Sequence, residues 1–168
     1  VDPEAAVARR QVPSLSILLE TKTGCLEWTT SASSLFGRIV KIRLSPDGWG
    51  LGLLDFEHSF QYASEVVFIN WKSGGSKSLY QSQDREVTDV EIAAPTGPIY
   101  LAGIERTGKL PQNPVPAKVK ILRSPSGVHW AEIGVDYRAS ARRVIVAAAG
   151  PEHVWAATDT GMILKLVQ

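Results

Sequence analysis

The sequence predicts an all-β protein: a β-propeller segment of about three four-stranded blades, either an open arc or part of a ring of about six to eight blades. Three observations carry this expectation. Apolar runs are short and are separated by Gly, Pro, Ser and Asp turns, with no sustained helical periodicity. Turns of Ser or Thr with Gly recur at Gly24, Gly74 and Gly127, 50 and 53 residues apart, which is the period of a four-stranded blade. Between them strand character repeats in one order: apolar strand, turn, Gly- or Trp-bearing strand, loop, apolar strand, turn, aromatic strand. A two-sheet sandwich also uses short strands and frequent turns, but it does not require that order.

Taken in order, residues 1–13 read as a flexible or helical lead-in ended by Pro13, and 14–168 as blades. Ser16–Glu20 is an apolar run, followed by the Thr21–Trp28 turn and a short strand to Thr30. Ser31–Ser34 reads as linker. These two outer strands make up 14–34 of a first blade. The blade 35–84 opens with Arg38–Leu44, turns at Ser45-Pro-Asp-Gly48, and continues through the Gly-spaced strand Trp49–Leu54, which lets backbones approach closely. Glu65–Asn70 follows and turns at Ser73–Gly75. The blade 85–136 repeats the series. Val87–Ile92 alternates with period two, Ile99–Gly103 matches the Trp49 strand, and Lys118–Leu122 leads through Ser124-Pro-Ser-Gly127 into Val128–Ile133. The partial blade 137–168 holds Arg143–Ala147, His153–Ala157 and Met162–Val167, with a turn at Thr158-Asp-Thr-Gly161.

Composition narrows the function classes. The 168 residues are 44% hydrophobic, enough for a buried core, and net charge is +1, which gives no reason to invoke nucleic acid. No apolar run approaches the length of a membrane span. Cys25 has no second cysteine to pair with, so the redox compartment is left open. The first residues lack the apolar centre of a signal peptide, and the absence of an initial Met is expected of a chain cut or processed from something longer. The compartment is not readable.

Ser124-Pro-Ser-Gly-Val-His-Trp130 resembles the Asp-box (BNR) turn, which joins the two outer strands of a blade in sialidase-like propellers. The motif's Asp falls at Ser126, and at Thr23 in the earlier copy Thr21–Trp28, where hydroxyls would cap the turn instead. Arg43–Gly52 and Glu152–Ala157 are similar to the inner strand pair of blades in the photosystem II assembly-factor group. The resemblance implies a propeller with structural turn residues Thr23, Gly24, Trp28, Ser124, Ser126, Gly127 and Trp130, the Trp rings packing between blades. Completing the ring would then need another copy of the chain or the missing blades of a parent protein; a self-contained three-unit barrel is the remaining option.

No constellation for catalysis or cofactor binding appears. His58, His129 and His153 lack metal-ligand spacing, so neither a metal nor any other cofactor is expected. Asp55, Glu57 and His58 cluster after a strand, where a solvated loop is the simpler reading. Trp49 and Trp155 read as equivalent inner-strand residues, leaving Trp71 as the tryptophan free to contact a ligand. The loop Tyr137-Arg-Ala-Ser-Ala-Arg-Arg143 sets Tyr137, Arg138, Arg142 and Arg143 together, residue types favoured as interface anchors and suited to a carboxylate-bearing peptide. In the family resembled, an arginine-rich patch is associated with binding a partner protein. Glu105–Pro116 is a long Pro-rich connection of the kind used in contacts. The expectation is a non-enzymatic binding or assembly module for a protein or peptide. The alternatives are a carbohydrate-binding propeller and a degenerate glycosidase-type propeller.

Overall fold

The computed structural model describes residues 15–56, 62–73, 75–93, 97–105, 117–136 and 139–166. Among them every regular element is a strand, and the strands pair in sequence order as antiparallel meanders. β1 (Leu15–Glu20) and β2 (Thr29–Phe36) form a two-stranded sheet. β3 (Arg38–Leu44), β4 (Trp49–Asp55), β5 (Ser64–Asn70) and β6 (Gly75–Gln81) form a four-stranded sheet. The next four-stranded sheet holds β7 (Arg85–Ile92), β8 (Ile99–Glu105), β9 (Val119–Ser124) and β10 (Ala131–Ile133). The last has three strands, β11 (Val144–Gly150), β12 (His153–Thr158) and β13 (Ile163–Leu166). The chain is all-β and has the architecture of a partial β-propeller. The lead-in 1–13 lies outside the described residues.

Two element readings change. Residues 31–34, read as linker from their small side chains, lie inside β2, with Ser31 opposite Leu18 and Ala32 opposite Ile17. Ladder hydrogen bonds come from the backbone and need no particular side chain. The strand expected over Val128–Ile133 shortens to Ala131–Ile133, because the preceding turn extends to Trp130.

Alternation along each strand sends side chains into two different inter-sheet cores. Leu51, Leu53 and Val66 meet Val87, Val90 and Leu101 of the following sheet. From that sheet's other face, Tyr100, Ala102 and Ile121 meet Val144, Val146, Val154 and Ala156 of the last sheet. Strands β4 and β8 are therefore buried on both faces and read as continuous apolar runs. Glycine is required where β3 and β7 press on these strands. A Cβ at Gly50 would lie 2.5 Å from the Arg43 carbonyl oxygen, and one at Gly103 would lie 2.4 Å from that of Glu86.

The first strands of successive sheets are joined by side chains rather than by a ladder. Lys41 on β3 pairs with the buried carboxylate of Asp89 on β7, and Arg43 Nε reaches Glu91 Oε2 at 3.1 Å. Asp89 also accepts from the backbone N–H of Val90 (3.0 Å) and, across to β11, from that of Val146 (2.8 Å). A carboxylate this buried needs such partners to offset its desolvation. Both β3 and β7 break register at the same point, between Ile39 and Lys41 and between Val87 and Asp89.

The tryptophans divide differently from expectation. Trp130 does pack between sheets, edge-on to Tyr80 of β6 with ring centroids 5.5 Å apart. Trp28 instead stays 54% exposed, since among the described residues no earlier sheet supplies an equivalent of Tyr80. Trp49 is partly buried and stacks on Phe68 at 5.8 Å. Trp155 is not its structural equal: it is 46% exposed, on the uncovered face of the last sheet.

Candidate functional site

Strands β3, β7 and β11 all begin at one end of the sheets, as the pairings Arg38 with Asp55, Arg85 with Glu105 and Val144 with Thr158 show. Between these strand starts lies an open cleft of about 360 Å³. Arg38, Val40, Leu53 and Asp55 line it from the first four-stranded sheet, and Glu86, Val87 and Thr88 from the second. Arg142 and Arg143, leading into β11, complete the wall. Three sheets thus contribute to one polar depression, because each inner strand starts beside its neighbour's.

The charges in the cleft are unequally satisfied. Arg38 Nη2 binds Asp55 Oδ2 at 2.7 Å, an exposed pair that holds both side chains against the wall. Arg142 and Arg143 are exposed, and among the described residues neither guanidinium meets a carboxylate. The segment that carries them is anchored instead through its backbone. Arg142 N–H donates to Asp159 Oδ1 (3.1 Å), and Asp159 N–H donates to the Arg143 carbonyl (3.1 Å). The cleft thus carries two guanidiniums without a carboxylate partner on an anchored backbone segment, beside the apolar side chains of Val40, Leu53 and Val87. No group of three or more His, Cys, Asp or Glu among the described residues has metal-binding geometry. His129 and His153 are exposed, while Glu57 and His58 lie outside the described residues.

The other sequence-predicted site residues are dispersed. Tyr137 and Arg138 lie outside the described residues, as does most of the Pro-rich connection, 106–116. Their described flanks, Asp136, Ala139 and Glu105, are at the cleft end of the sheets. Trp71 is at the opposite end, in the turn after β5, where Asn70 Oδ1 accepts from the N–H groups of Lys72 (3.1 Å) and Ser73 (3.0 Å). It is 43% exposed, with the Lys72 ammonium 5.7 Å from its ring. The arginines and Trp71 do not form one site.

In both Ser/Thr-Gly turns side-chain hydroxyls accept backbone hydrogen bonds. Ser124 Oγ, fully buried, accepts from Gly127 N–H (2.8 Å) and Ser126 N–H (3.4 Å), and Gly127 takes a φ of 78°. In the earlier copy Thr23 Oγ1 accepts from Glu27 N–H (2.9 Å), and Thr21 Oγ1 from Cys25 N–H (3.0 Å). Gly24 (63°) and Cys25 (73°) both have positive φ there. Ser124 closes its turn from the first position, not from the Ser126 position.

Arg38, Glu86 and Thr88 are cleft residues that the reading of single loops missed. Their signal is visible when strands are overlaid: Arg38, Lys41 and Arg43 stand 48 residues before Glu86, Asp89 and Glu91. Lys41 and Arg43 each pair with the acidic residue at the same place in the next inner strand, while Arg38 binds Asp55 of its own sheet.

No protein-family model matches the chain, and no curated protein matches it. Among solved structures, that of YCF48 bound to D1 peptide is similar, with a TM-score of 0.60 at 13% identity. The alignment covers 93% of this chain and 46% of that one, so the chain spans about half the length of its structural neighbour. That likeness concerns the fold, and the fold it shows is a β-propeller's.

Proposed function

We propose that this propeller segment is a non-enzymatic binding module, of the assembly-factor kind, that recognises a carboxylate-bearing protein or peptide segment in the cleft between β3, β7 and β11. The single observation behind this reading is the pair of unpaired guanidiniums, Arg142 and Arg143, carried into the cleft wall on an anchored backbone segment. Carboxylates are their natural complement, and a main chain already held in place lowers the ordering lost on binding. A structural neighbour that carries a bound peptide supports the same reading. Tyr137 and Arg138 precede the arginine pair in sequence and belong to this surface in the proposal. Trp71 would serve a second contact at the far end. The turns at Thr21–Trp28 and Ser124–Trp130 are read as Asp-box turns of blades 14–34 and 85–136, flanking a blade 35–84 and followed by a partial blade 137–168. The ring is completed by a second copy or by further blades of a parent chain.

The test is fluorescence polarisation with fluorescein-labelled hexaglutamate bearing a free C-terminus. The expected result is saturable binding that weakens at least tenfold in an Arg142→Ala/Arg143→Ala variant of unchanged melting temperature, about 1.4 kcal/mol. Equal binding by that variant contradicts the proposal.

A further inference from the structure

The segment that presents the two arginines is held by its main chain from three directions. On one side Ala139 N–H donates to Asp136 O (2.9 Å), Val119 N–H donates to Ala139 O (2.8 Å), and Ala141 N–H donates to Ala117 O (3.0 Å). On another, the Thr88 hydroxyl donates to Val144 O (2.7 Å) and accepts from Val144 N–H (3.1 Å). On the third lies the turn after β12, from which Thr160 Oγ1 donates to Ser140 O (3.2 Å). Ala139 and Ala141 are buried, while the next two side chains, Arg142 and Arg143, project outward.

Asp159 has a special place in this frame. Its carboxylate accepts from the N–H of one arginine and its own N–H donates to the carbonyl of the other, so it grips the Arg142–Arg143 peptide from both ends. Among the described residues it makes no ion pair with either guanidinium, although both side chains start from the peptide it holds. The turn beneath it is itself closed. Thr158 N–H donates to Met162 O (2.9 Å), Met162 N–H donates to Thr158 Oγ1 (3.0 Å), and Gly161 takes a φ of 87°.

We infer that Asp159 is the positioning residue of the arginine pair: it fixes the backbone so that both guanidiniums are spent on a ligand rather than on the protein's own carboxylates. This rests on the proposed carboxylate-binding role of the cleft. It assigns a role to the turn Thr158-Asp-Thr-Gly161, which lies a full hairpin away in sequence from the side chains it serves. A mobile arginine pair would still attract carboxylates, but more ordering would be lost on each binding event.

The experiment compares hexaglutamate affinity and melting temperature for Asp159→Ala, Asp159→Asn and Arg142→Ala/Arg143→Ala. Asp159→Ala removes the acceptor and is expected to weaken binding roughly five- to tenfold, by loss of preorganisation, with both arginines present. Asp159→Asn keeps the Oδ1 acceptor and loses the charge, so it is expected to bind at least as well as wild type. Wild-type affinity in Asp159→Ala overturns the inference, and so does equal weakening in Asp159→Asn. Where the double arginine variant also binds like wild type, it is the cleft reading that fails, not the positioning role alone. Should Asp159→Ala not fold, Asp159→Glu carries the test, since it keeps a carboxylate but moves the acceptor away from the Arg142 N–H. Weakening of about twofold or more there supports the inference, and unchanged affinity overturns it.

Discussion

Lys120 shows how a single side chain ties this structure to pH. Its ammonium, largely buried, lies 3.1 Å from Glu105 Oε1 and also binds Glu132, whose other oxygen takes Arg85 Nη2 at 2.9 Å. Burial opposes the charge, but the hydrogen bonds and charges of Glu132 and Glu105 outweigh it and raise the lysine's pKa above its ordinary value. A pKa raised on folding means stability that is fully present below the unfolded value, about 10.4. That stability is lost as pH climbs through the folded value. Melting temperatures of wild type and Lys120→Met should therefore differ by a constant amount from neutral pH to about 10 and converge above it. A gap that stays constant to pH 11.5, about one unit past the lysine range, contradicts this. In the variant Glu105 keeps its burial without its cation, at a cost of about 3–5 kcal/mol near neutral pH.

At the scale of elements, the pairing of inner strands was written in the sequence but had to be read across a repeat. Arg38-Ile-Val-Lys-Ile-Arg-Leu44 and Glu86-Val-Thr-Asp-Val-Glu-Ile92 are the same strand with every charge inverted, and the structure sets Lys41 against Asp89 and Arg43 against Glu91. Short strands, turns and repeat order were legible because each depends on local residue types. The cleft was not, because Arg38, Glu86 and Arg143 meet only once three sheets are stacked. Trp28 and Trp155 were misread for a related reason: whether a ring is covered depends on a neighbouring sheet, not on the residue's own motif. Two substitutions probe how the sheets hold together. Asp89→Ala strips Lys41 and the Val146 N–H of their shared partner and should cost about 3–5 kcal/mol in denaturant unfolding; a loss below about 1 kcal/mol would show that the apolar contacts alone hold the sheets together. Gly103→Ala forces a methyl against the Glu86 carbonyl and should cost about 1–3 kcal/mol by the same assay. A neutral Gly103→Ala would mean that β7 yields freely, and with it the cleft wall that carries Glu86.

For the whole molecule, the described arc leaves apolar sheet faces uncovered. On the last sheet Ile145, Ala157 and Ile163 lie side by side, next to Trp155, and Ile163 is 72% exposed. On β3, Val40, Ile42 and Leu44 are exposed. Such faces associate in water, so Ile145→Glu/Ile163→Glu should lower the mass measured by light scattering toward the 18.2 kDa of one chain. A wild-type mass of 18.2 kDa, or a larger one that the double substitution leaves unchanged, would contradict association through this face. The other feature of the arc is the cleft where β3, β7 and β11 begin. The most direct measurement is an amide chemical-shift map of the chain titrated with hexaglutamate. Shifts are expected at Arg38, Asp55, Glu86–Thr88 and Ser140–Val144, with the Trp71–Ser73 turn at the opposite end unmoved. Shifts centred on Trp71, or none at the arginine pair, would contradict binding in the cleft.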